Sequence, residues 1–226
     1  MCGRFTLRTP ANDWCQMFFP DMEPAPADPP RYNIAPTQGI NSLLRFAAGD
    51  TPVLKKIRWG LVPSWADDLK IGNRMINARA ETVDAKPSFK RAFTQRRCLV
   101  IADGYYEWKK TEGGKQPFLI EQTDQAPMAF AGLWDQNNKV ATDGASLLTC
   151  TIITTSANTT TRMVHDRMPV ILSPENYGQW IDPNFREVGQ LKSLLTSCAD
   201  DRLKLTAVSQ HVNSPRNDDV RCVDPI

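Results

Sequence analysis

The residues best able to do chemistry stand at the very start of the chain, Met1-Cys2-Gly3-Arg4-Phe5. Cysteine is small enough for the preceding methionine to be trimmed, and Cys2 then carries a free α-amine beside its thiol, a 1,2-aminothiol. The thiolate is a strong nucleophile, and an α-amine of pKa about 7.7–8.0 is partly unprotonated near neutrality. The amine can condense with an aldehyde to a Schiff base, and the thiol can then close a five-membered thiazolidine, which makes a reversible imine persistent. The natural target is an aldehyde or another electrophilic carbonyl. The plainer reading of Cys2 is a small buried apolar side chain.

Three further residues could serve such a reaction. Glu107 lies between Tyr106 and Trp108, where strand alternation turns Tyr105, Glu107 and Lys109 to one face and Tyr106 and Trp108 to the other. Desolvation there raises a carboxyl pKa and suits a general acid or base; the alternative is a solvent-facing carboxylate paired with lysine. His165, in His165-Asp166-Arg167-Met168-Pro169, places a proton-transfer group two residues before a potential anion-binding group. A structural turn histidine fits equally. Asn77 stands among small and apolar residues with Arg79 on its face if the segment is extended; such an Asn can also simply satisfy a turn.

The elements that must position these residues belong to an ordinary soluble domain. With 226 residues, 41% hydrophobic and 23% charged, one domain spanning 1–226 is expected. No apolar run approaches the roughly 18 residues of a membrane span, and no signal peptide is evident, so the chain reads as cytoplasmic. Six scattered cysteines without a C-x-x-C pair argue for reduced thiols and against a zinc site. A net charge of +2 does not by itself indicate nucleic acid, but Lys86, Lys90, Arg91, Arg96 and Arg97 form a cluster, and Lys55, Lys56 and Arg58 another, either of which could make a basic face.

Along the chain, Thr9-Pro10 reads as an N-cap and first turn of a short helix ending near Pro20. A loop with five prolines follows, up to Arg31. Residues 40–46 and 53–59 read as a hairpin, 59–65 as a loop and 87–97 as a helix with Phe89 and Phe93 inward and the basic cluster outward. Residues 98–102, the dipeptide Asp103-Gly104 and 105–108 read as strand, tight turn, strand. Strands at 117–120, 128–134 and 146–155 continue an antiparallel series; a polar turn at 156–161, a strand at 170–172, helices from Ser173 to about Trp180 and over 187–197, and a strand at 203–208 complete it. The expected class is α+β, a predominantly antiparallel, barrel-like core with peripheral helices.

Seven ordered blocks then carry a resemblance that runs essentially end to end: 1–5, Arg31 to Thr37, Trp59 to Trp65, Ile76 to Thr82, Arg97 to Trp108, Gln116-Pro117-Phe118 and His165 to Pro169. The sequence resembles the SRAP family, the SOS response-associated peptidases, understood as abasic-site processing proteins. The resemblance implies that Cys2, once Met1 is removed, joins the aldehyde of an abasic site in single-stranded DNA as a thiazolidine crosslink. It further implies that Asn77 positions the Cys2 end, that Glu107 moves protons and that His165 assists opening of the sugar. Arg4, Asn33, Arg79, Thr154 and Arg167 are implied as DNA contacts at phosphates or sugars, with Trp65 stacking near the lesion. It implies a thiol autopeptidase activity that exposes Cys2, β-elimination through the same Schiff base, a monomer, and neither cofactor nor metal. Where several relatives carry a second aromatic after the tryptophan of the Pro-Ser-Trp block, this chain has Ala66.

Two other classes compete. An N-terminal-nucleophile amidotransferase also begins Met-Cys-Gly but requires a layered α/β sandwich. A single-stranded DNA-binding module would bind without any covalent step.

Overall fold

Residues 2–23, 27–140 and 145–226 are described by the computed structural model. Met1, whose removal the aminothiol reading needs, and residues 24–26 of the proline-rich loop lie outside the described residues. The strands are β1 (Phe5–Leu7), β2 (Arg31–Ile34), β3 (Gly39–Leu44), β4 (Val53–Trp59), β5 (Asn77–Arg79), β6 (Arg97–Ala102), β7 (Gly104–Thr111), β8 (Gly114–Gln122), β9 (Met128–Asn137), β10 (Leu147–Ser156), β11 (Arg167–Pro169) and β12 (Leu203–Ala207). The α-helices are α1 (Ala11–Phe18), α2 (Pro87–Gln95), α3 (Thr159–Arg162), α4 (Tyr177–Ile181) and α5 (Val188–Ser193).

Strands β10, β4, β3, β6 and β9 form a ring that closes where β9 returns to pair with β10. Closure removes the unpaired edges an open sheet would leave. The run Cys98 to Ala102 is apolar without alternation, and every residue of β6 is buried, as expected of a strand covered on both faces. A second, antiparallel sheet has the order β12-β8-β7-β1-β2. The expected α+β barrel with peripheral helices is what forms, and the layered sandwich of an amidotransferase is not. Among the described residues no helix is long and apolar enough to cross a membrane.

Strand β10 is the pivot of the barrel. Leu147 to Ile152 close the ring against β9. Beyond them the strand runs on between β5, parallel with Ile152 opposite Asn77 and Thr154 opposite Arg79, and β11, antiparallel with Ser156 opposite Arg167. The pairings of β10 with β4 and β5 are parallel, so the core is not antiparallel throughout.

Three local expectations are corrected. Asp103-Gly104 is a corner between sheets and not a hairpin turn, because β6 pairs with β3 and β9 whereas β7 pairs with β1 and β8. The Asp103 side chain explains it: Oδ2 accepts from the backbone N–H groups of Arg8 and of Thr9, the latter at 2.9 Å, and Oδ1 accepts from Thr9 Oγ1 at 2.8 Å. Gly104 suits the corner, since a Cβ there would meet Ile120 O at 2.9 Å. Second, Thr9 spends its hydroxyl on Asp103, so α1 starts one residue later than expected, with Pro10 at the N-cap and no side-chain cap. Third, Arg97 does not face outward with the basic cluster. It is buried, and its guanidinium donates to the carbonyls of Phe93, Trp180, Asp182 and Phe185. Burial lowers its pKa to about 10.

Candidate active site

Cys2 reaches its place through β1. Phe5 pairs with Tyr105 of β7, and Tyr106 N–H donates to Arg4 O at 2.9 Å, so the antiparallel register carries the residues ahead of β1 alongside Glu107. The expected alternation in β7 holds: Tyr105 packs into the main core, whereas Tyr106 and Trp108 join a second cluster with Val208, Val212 and Cys222. Glu107, two residues on from Tyr105, is buried on its face.

Asn77 arrives from the other sheet. Gly60, at φ +120°, approaches Gly72 so closely that a Cβ would meet its carbonyl at 2.6 Å; any side chain would be strained as well as crowded there. Leu61 N–H donates to Met75 O and Gly60 N–H to Cys150 O, which seats β5 beside β10. From there Asn77 Nδ2 donates to the Cys2 carbonyl at 2.7 Å. Its Oδ1 is buried and makes no hydrogen bond among the described residues.

His165 follows α3, which Asn158 caps by accepting from Thr161 N–H. Its Nδ1 lies 2.9 Å from Arg167 N and 2.9 Å from Asp166 Oδ1. A neutral ring therefore accepts from the Arg167 amide and carries its proton on Nε2, while a protonated ring pairs with Asp166.

These groups sense one another's charge. Burial pushes the Cys2 thiol far above the usual thiol range, and the Glu107 carboxylate pushes it further. Burial likewise raises Glu107, with His165 drawing it part of the way back. Tyr105, wholly buried, is raised by burial and then by Cys2 and Glu107. Cys2, Asn77, Glu107 and His165, expected as one site, are thus brought together from two sheets. The thiol is protonated at neutral pH and the carboxyl keeps its proton to higher pH than an exposed glutamate would.

The expected DNA contacts fall into two groups. Arg4 donates to Asn33 Oδ1 at 2.7 Å and to Val212 O at 2.9 Å, with its guanidinium over the Trp108 ring. Asn33 is wholly buried, and its Nδ2 is spent on the carbonyls of Val212, Ser214 and Asn217. On the barrel side, Arg79 is exposed opposite Thr154, and Arg167 Nη2 donates to Thr154 O at 2.6 Å. Thr154 is itself wholly buried. Asn33 and Thr154 consequently offer no exposed side chain; of the other expected contacts, Asn33 touches Arg4 and Thr154 touches Arg167. Trp65 is 54% exposed on a loop tied to β9 by Asn137 Nδ2, which donates to Pro63 O and Ala66 O.

The chain matches the family model for SOS response-associated peptidase (SRAP) over residues 1–215. It belongs to the SRAP family. It is 42% identical over 226 residues to abasic site processing protein YoqW of Bacillus subtilis, covering 99% of each chain. To abasic site processing protein YedK of Escherichia coli it is 29% identical, covering 100% of both. The crystal structure of a protein from Bacteroides thetaiotaomicron superposes with a TM-score of 0.81 at 22% identity over 100% of each chain, a likeness of fold.

In this SRAP chain sequence reasoning passed over two residues. Tyr105 shares the Glu107 face, and only the pairing of β1 with β7 brings it under the influence of Cys2. Glu81 stands inside the block 76–82 but carries no local sign of its partner, Arg167, 86 residues away. His211, Asp219 and Cys222 place donor atoms within 4.8 Å of one another. Asp219 is already engaged by His211 and Arg221, so its charge is spent within the protein.

Proposed function

We propose that the protein captures abasic sites in single-stranded DNA by covalent bonding to Cys2 after Met1 has been removed. The observation that carries this reading is the 2.7 Å hydrogen bond from Asn77 to the Cys2 carbonyl with the buried Glu107 carboxyl alongside. It holds the backbone of Cys2 beside a carboxyl that burial makes harder to ionise than an exposed glutamate. The names of the relatives, abasic site processing proteins, support the same substrate.

The protonation states set the order of events. With the thiol protonated, the α-amine attacks first: nitrogen bonds to the aldehyde carbon, Glu107 delivers a proton to the departing oxygen, and water leaves. The thiol then adds across the C=N bond, its sulfur to carbon and its proton to nitrogen, giving the thiazolidine. The sum is protein plus DNA less one water. His165, on the same carboxyl, passes protons to the sugar oxygen as the ring opens. Loss of a proton beside the imine carbon would instead eliminate the 3′ phosphate, which is the lyase branch. Arg4, Arg79 and Arg167 bind phosphates, Asn33 and Thr154 hold Arg4 and Arg167 in place, and Trp65 stacks on a base.

Intact-mass measurement of Met1-processed protein incubated with a single-stranded oligonucleotide bearing one abasic site tests this. The wild type gains the mass of the oligonucleotide less one water, and Cys2→Ala gains nothing while still binding. Reversible binding alone by the wild type would leave a non-covalent module.

A further inference from the structure

The guanidinium of Arg167 is occupied. Nη1 and Nη2 each donate to one oxygen of Glu81, the second at 2.9 Å, and Nη2 also donates to Thr154 O at 2.6 Å. The two partners differ in kind. Thr154 O is backbone, fixed in the part of β10 that lies between β5 and β11. Glu81 is a side chain, 49% exposed against 14% for Arg167, so solvent and ions reach the carboxylate and compete for it. The backbone beneath Glu81 is separately anchored, because Lys192 Nζ donates to Glu81 O at 3.4 Å and to Asp84 Oδ1 at 2.9 Å. The carboxylate can therefore swing away without disturbing either the turn or the aim of the arginine.

A planar, two-oxygen anion across Nη1 and Nη2 is the geometry a phosphodiester also takes on arginine. We infer that Glu81 is an internal phosphate mimic: in the DNA-free protein its carboxylate holds the place on Arg167 that a backbone phosphate takes when a strand binds. This rests on Arg167 being a phosphate contact, as proposed above. Glu81 then keeps the guanidinium extended and pre-aimed while lowering affinity for any strand. It also removes one net charge from the attraction toward undamaged DNA, so that binding leans more on the covalent step at Cys2.

The test is fluorescence anisotropy with an undamaged single-stranded oligonucleotide across a salt series, which leaves Cys2 chemistry out. Glu81→Gln is expected to tighten binding about fivefold, the upper range for loss of an exposed competing ion pair. Its plot of log affinity against log salt is expected to steepen by about 0.7, the increment for one more phosphate neutralised on a single strand. Glu81→Asp, which keeps the charge but draws it back, gives a shift in the same direction of smaller size and serves if the glutamine variant folds poorly. Arg167→Ala weakens binding and flattens the slope. If Arg167→Ala does so while Glu81→Gln weakens binding or leaves affinity and slope unchanged, Glu81 merely positions the arginine and the mimic is refuted. If Arg167→Ala has no effect, Arg167 is not a phosphate contact, and both that assignment and the mimic fall while capture at Cys2 stands on its own assay.

Discussion

Asn77 Nδ2 and the carbonyl oxygen of Cys2 are joined at 2.7 Å across 75 positions of sequence, and the bond ties the barrel to the segment ahead of the second sheet's β1. Removing it tests positioning apart from chemistry. Asn77→Ala is expected to slow covalent capture about 100-fold, the cost of a reactive group left about an ångström out of place. Non-covalent affinity for a single strand should stay within twofold, as read by anisotropy beside a timed gel assay of the adduct.

Glu107 couples function to stability through its raised pKa. Its ordinary value is 4.5 and burial lifts it in the folded state, so above pH 4.5 the unfolded chain releases this proton before the folded one does. The unfolded state then binds fewer protons, and stability falls as pH rises from the ordinary value through the folded one. Glu107→Gln should remove that fall: urea unfolding is expected to find the variant more stable than wild type at pH 7.5 and equal to it at pH 4. Capture should meanwhile be slower in both formation and reversal, and the alkaline limb of the wild-type rate profile should be lost. A variant destabilised at pH 7.5 would mean that the carboxylate is stabilised by partners instead of strained by burial.

Asp103 accepts three hydrogen bonds from Arg8 and Thr9 and sets the corner between the sheets. Asp103→Ala leaves half-buried donors without an acceptor and should cost about 2 kcal/mol. Because β1 carries Cys2, capture should also slow. The urea midpoint and the adduct rate together check this, and a loss of rate without any loss of stability would place Asp103 in the reaction.

Arg97 is the single cation serving the carbonyls of Phe93, Trp180, Asp182 and Phe185. Arg97→Ala should lower the unfolding free energy by about 3 kcal/mol or more, since several buried acceptors lose their donor together. Arg97→Lys should recover only part, as an ammonium cannot span the fork. Binding to a single strand should not change, in contrast to the surface cations of α2.

Much of the site was legible in the residues themselves. An aminothiol needs only Cys2 behind a removable methionine, and the chemistry of an amine beside a thiol is a local property. The alternation that sets Tyr105 and Glu107 apart from Tyr106 and Trp108 is likewise local, because side chains along any strand alternate. The apolar run 98–102 reads as a strand from its residue types alone. What these could not convey is which strand lies beside which. A hairpin and a corner between sheets share the same Asp-Gly signal, and the difference at Asp103 lies in partners near residue 8, not in its neighbours.

The same holds for charge. Helical spacing set Arg97 among solvated cations, but α4 and the segment after it bring three carbonyls to it from outside the local pattern. Asn33 and Thr154, read as contacts, are enclosed by the C-terminal turns and by β5 and β11. The sequence alone determined the family blocks and the barrel-like class and pointed to the aminothiol of Cys2, all of which rest on residue type and on periods of two to four residues. Only the tertiary structure decided that Asn77, Glu107 and His165 meet at Cys2 and that Glu81 sits on Arg167, because those contacts join strands far apart in the chain whose pairing is settled by the closing of the barrel.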